Sequence, residues 1–115
     1  MSPDLRLMIE RVTGLREQLA FRAPSQAVLD EIEDVLTEGY ARALTGDAWS
    51  MRTEQRLHEL ISDASTPVRG GDLRAIAADH ASFQRDLIDL RRELTELWHA
   101  RDRLQEGVRA RTRSA

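Results

Sequence analysis

The 115-residue sequence contains no cysteine and no lysine. Without cysteine there can be no disulfide, no thiolate metal site and no thiol nucleophile. All 17 basic residues are therefore arginine. No lysine can form a Schiff base, hold a nucleotide phosphate or act as a general base. Aromatic residues make up 4% of the chain, too few for a run of base-stacking platforms along a nucleic acid. The three prolines fall at positions 3, 24 and 67, which leaves two long segments free of that helix breaker.

No stretch alternates β-branched or aromatic residues with polar ones, so no strand is predicted. Long hydrophobic runs are missing too. Asp4, Arg6, Glu10, Arg11, Arg16 and Glu17 interrupt the first twenty residues. That pattern suits neither a membrane span nor the apolar core of a signal peptide. The net charge of −3 speaks against a polyanion-binding surface over the whole molecule. These absences predict a soluble cytoplasmic protein without a membrane partner, and make nucleic acid a poor candidate.

What remains is rich in leucine, alanine, arginine and glutamate, the composition of long helices and coiled coils. Leu5, Met8, Val12, Leu15 and Leu19 recur at steps of three and four, the seam of an amphipathic helix. Ser2, Pro3 and Asp4 read as its start and Ala23-Pro24 as its end, giving a first helix over 3–22. Ser25 can cap a second helix over 25–64. Its seam runs Leu29, Ile32, Leu36, Gly39, Ala43, Gly46, Ser50, Thr53, Leu57, Leu60, Ala64. The phase never breaks, but the middle is small. "STPVRGG", 65–71, reads as a loop. Asp72 can cap a third helix over 72–109, whose seam holds Leu73, Ile76, His80, Phe83, Leu87, Leu90, Leu94, Leu97, Arg101, Leu104 and Val108. The arginine-rich tail, 110–115, is expected to be flexible.

Two long helices of similar length and a short loop predict an antiparallel hairpin. Folding about residue 68 would set Thr53 against Phe83, Ser50 against Leu87, Gly46 against Leu90, Ala43 against Leu94, Gly39 against Leu97 and Leu57 against His80. Small residues then meet large ones, which fills space well. On this reading Gly39 and Gly46 are close-contact positions in one continuous helix. Helix two carries a second stripe, with Leu29, Tyr40, Leu44 and Met51, and the sequence leaves open which stripe faces helix three. The first helix is expected to cover the end formed by 25–44 and 94–109. The fold class is all-α: a long, coiled-coil-like hairpin plus a shorter N-terminal helix in a single domain, completed to a bundle by dimerisation.

Few motifs carry chemistry. Glu96 and His99 have the E-x-x-H spacing of carboxylate-bridged metal sites, with Glu38 brought level by the hairpin, but Leu97 is the seam residue and both ligands would point outward. Glu54 and His58 form an ordinary helix-surface pair. His80 and Arg101 are the polar members of the third seam and are expected to set register, Arg101 by reaching acids at the start of helix two. The acids at 30–38 suit a helix N-terminus and face the arginines at the far end of helix three. No catalytic residue, metal ligand or cofactor site is predicted.

The leading functional reading is a non-enzymatic interaction or assembly module, with a homodimer or a helical protein as partner. Candidate interface residues are Tyr40, Leu44, Trp49, Met51, Ile61 and Ile88. The alternatives are an enzyme or ligand-binding protein lined by Arg91, Arg92 and Arg101, and a nucleic-acid regulator using Arg109, Arg111 and Arg113.

Overall fold

The computed structural model describes residues 2–62 and 70–114. Three helices occupy nearly all of them: α1 (Arg6–Gln18), α2 (Gln26–Ser62) and α3 (Gly70–Ser114). A 3-10 turn, Leu19–Phe21, follows α1. No described residue is in a strand. With α2 and α3 as its hairpin, the chain makes a rod measuring 74 × 19 × 15 Å. No described helix is long and apolar enough to cross a membrane.

The helix starts show local chemistry at work. Ser25 Oγ accepts a hydrogen bond from Val28 N–H (3.3 Å), capping α2 as predicted. At α1 the cap differs from expectation. Asp4 Oδ1 accepts from Arg6 N–H (3.0 Å), and the helix begins at Arg6 rather than residue 3. Ser2 is drawn away to donate to Asp79 Oδ1 (3.0 Å). α3 begins at Gly70, so Asp72 lies in its first turn instead of capping it. The rest of the predicted loop, 65–69, lies outside the described residues, as do 63 and 64 of the predicted second helix.

The tail also differs: it is helical through Ser114. Thr112 and Ser114 hydroxyls bond the carbonyls of Val108 and Ala110, each at 3.0 Å. Arg111 and Arg113 place positive charge at the negative end of the helix dipole.

α2 runs through Gly39 and Gly46 without a turn, and no glycine among the described residues has positive φ. Gly39, Ala43, Gly46 and Ser50 are all buried against α3. A Cβ on Gly39 would collide with Leu94, and one on Gly46 would lie 3.0 Å from Phe83 Cζ and 3.3 Å from Leu87 Cδ1. The small stripe therefore faces α3, and glycine is what permits the close approach.

The register is shifted by about one turn or more of α3 from the predicted one. Gly39 meets Leu94, Gly46 meets Phe83 and Leu87, and Ser50 meets His80.

α1 lies in one groove of the hairpin, parallel to α3 and antiparallel to α2. Arg6 pairs with Asp86 (3.9 Å), Arg16 with Glu93 (3.0 Å), Arg11 with Glu38, and Arg22 with Glu31 (2.7 Å). It thus covers α3 from about Asp79 to Leu104, nearer the middle than the predicted 94–109. The core joins Leu5, Met8, Val12 and Leu15 to Ile32, Val35 and Leu36 of α2 and to Leu90, Leu94 and Leu97 of α3. Burial stops at Ser50 on α2 and starts at His80 on α3. Beyond them, 51–62 and 70–79 form a two-helix stub with no buried residue.

Candidate interaction surfaces

The heptad phase of α2 and α3 determines what the hairpin shows on each side. Residues that flank the seam on the α1 side are covered by α1. Those that flank it on the other side stay open, because no fourth helix is present among the described residues. Along α2 the open side carries Tyr40 (41% exposed), Leu44 (69%) and Met51 (69%). Along α3 it carries Ile88 (57%) and Trp98 (43%). Met51 and Ile88 line one groove with Gln84, Asp47 and Arg91. The Arg91–Asp47 ion pair crosses that groove and ties the two helices together. Arg101 spans the same side further along. Its guanidinium stacks on the Trp98 ring at 4.8 Å and pairs with Glu33, so it reaches the start of α2 as its seam position predicted.

Trp49 belongs to the opposite side. Its ring meets Phe83 edge-on at 4.6 Å, and it is half-buried near the level where α1 begins. Beyond it the groove that holds α1 continues into the stub, lined by Arg52, Thr53, Arg56, Glu59 and Ile76. Ile61, also on the stub, is 71% exposed. The sequence candidates therefore fall on two surfaces and not one.

His80 is buried, and its Nε2 lies 2.8 Å from Ser50 Oγ. Its partner is this serine and not Leu57. A serine bonded to a histidine can be a nucleophile and its base. Here both side chains are largely buried in the seam, Ser50 at the wall of the Met51–Ile88 groove, and Asp79, beside His80 in sequence, is bonded to Ser2 instead of orienting the imidazole. The pair satisfies two buried polar groups.

The other candidate chemistry disperses. Glu96 and His99 are exposed, and Glu96 lies 3.9 Å from Arg16. Glu38 is engaged by Arg11 and Arg42, and the Arg11 guanidinium holds its carboxyl below the usual range. No cluster of three or more potential metal ligands exists among the described residues. Glu54 and His58 are both exposed. Arg91, Arg92 and Arg101 pair with Asp47, Asp89 and Glu33 respectively, at separate places along α3, and do not converge on one ligand. In the tail, Arg109 pairs with Glu106 (3.0 Å), Arg111 donates to the Pro24 carbonyl (3.3 Å) and Arg113 to the Arg109 carbonyl (3.4 Å).

Three exposed apolar residues escaped the sequence reading: Trp98, Leu7 (71%) and Phe21 (91%). Trp98 follows Ile88 at steps of three, four and three, so the open stripe on α3 was there to be found. Leu7 and Phe21 gave no comparable signal. The chain matches no family model, no curated protein and no solved structure.

Proposed function

We propose that the chain is a non-enzymatic helical interaction module, in which the open side of the α2–α3 hairpin receives a helix from a protein partner. The observation that carries this reading is the stripe of Tyr40, Leu44, Met51 and Ile88, all large, apolar and more than 40% exposed on one side of the rod. Large apolar residues gathered on one side of a folded chain support the reading of that side as a binding face. An amphipathic helix laid along it would complete a four-helix arrangement and present its own apolar residues at matching spacing. The charges beside the stripe, Asp47, Arg91 and Arg101 among them, would select partner and direction.

A triple variant, Leu44→Asp, Met51→Asp and Ile88→Asp, tests the proposal. Wild type and variant are affinity-purified from the native organism, and bound proteins are identified by mass spectrometry. The variant should keep its helical circular dichroism and lose the proteins that wild type retains. Identical sets of bound proteins would overturn the reading.

A further inference from the structure

α1 fills its groove only as far as Ser2, which bonds Asp79. The same groove then runs on between the stub helices, past Trp49, Arg52, Arg56, Glu59 and Ile76. On α2 the stub is 51–62, about 18 Å of helix at 1.5 Å per residue. Leu57, Leu60, Leu73 and Ile76 are only half-buried there, and Ile61 is exposed. Two helices side by side cover one stripe each, so this segment lacks the third and fourth members that α1 helps supply further along.

We infer that a second copy of the chain fills the groove, the two hairpin tips overlapping antiparallel about a two-fold axis. Two observations select this occupant. One is length: the uncovered segment needs a pair of helices about as long as itself, and the stub of a second copy is such a pair. The other is charge. Arg52, Arg56 and Glu59 share one stripe of α2, and none of them has an ion-pair partner among the described residues. With a two-fold axis near residues 56 and 57, Glu59 of each copy falls between Arg52 and Arg56 of the other. The symmetry makes the contact twice. A parallel overlap in the same register would set like charges together. Isologous pairing of this kind closes on itself and leaves the Met51–Ile88 face free.

The inference rests on the reading of the chain as an assembly module, and it can fail separately from it. Sedimentation equilibrium of the full chain over the micromolar range provides the test, with circular dichroism confirming that each variant keeps wild-type helicity. Wild type should sediment as a dimer. Glu59→Arg should raise the dimer Kd about tenfold or more, because two attractive contacts become repulsive. The Arg52→Glu/Arg56→Glu variant should do the same. Mixing the two variants should restore a heterodimer, since each glutamate again faces an arginine. A one-chain mass that holds as concentration rises overturns the inference. So does a dimer whose Kd ignores both variants, or a mixture that stays dissociated. A monomer would leave the Met51–Ile88 face to be judged by its own test.

Discussion

Ser50 and His80 meet across the hairpin, Oγ to Nε2 at 2.8 Å, in the last buried layer before the two helices run on alone. Removing one partner leaves the other unsatisfied, at a cost of ~1–3 kcal/mol. Replacing both by apolar groups of similar shape removes that penalty. Ser50→Ala should therefore destabilise by ~1–3 kcal/mol, while Ser50→Ala with His80→Leu should lie closer to wild type. Urea denaturation of the four-member cycle measures both. A double variant no better than the single would show that the imidazole serves some purpose beyond pairing with this serine.

Leu94 and Gly46 sit on facing helices and respond to opposite changes in volume. Leu94 is fully buried, so Leu94→Ala opens a cavity and should cost ~2–5 kcal/mol. Gly46 has Phe83 and Leu87 where its side chain would go, so Gly46→Leu must push the helices apart, at ~1–3 kcal/mol. Thermal and urea unfolding should show both losses. An unchanged melting temperature for Gly46→Leu would mean that the hairpin can open at this layer without penalty.

Glu38 titrates below its ordinary value of 4.5, chiefly because the Arg11 guanidinium bonds its carboxylate. A carboxyl with a depressed folded pKa stabilises the chain above its unfolded pKa, and that contribution is lost as pH falls through the folded value. Glu38→Gln should therefore lower the melting temperature slightly at neutral pH, as befits an exposed pair. The gap between wild type and variant should close as pH drops below 4.5. A gap independent of pH would assign the effect to something other than charge.

The three-four spacing made the helices legible, and the unbroken phase through Gly39 and Gly46 showed that α2 continues. The size alternation, small on α2 and large on α3, identified the contact between them. Register was not legible to the turn: Gly70 and Gly71 read as loop but lie in α3. The position of α1 was hidden for a related reason. Between His80 and Arg101 the α3 seam is uniformly apolar, so it offers α1 several equivalent levels; the cross-helix ion pairs of Arg6, Arg11 and Arg16 accompany the level adopted. Of the surface candidates, Met51 and Ile88 share a groove, whereas Trp49 faces the other way. A sequence seam cannot distinguish its two flanks until a third helix occupies one of them.

The Met51–Ile88 side of the hairpin is the proposed protein-binding face. A photo-crosslinking amino acid at Met51, at Ile88 and at Glu17 on the outer side of α1, each expressed in the native organism, tests it most directly. The account predicts protein cross-links at Met51 and Ile88 that are absent at Glu17 and are lost from Met51 when Ile88→Asp is added. Illumination that yields no more product at Met51 and Ile88 than at Glu17 would contradict it.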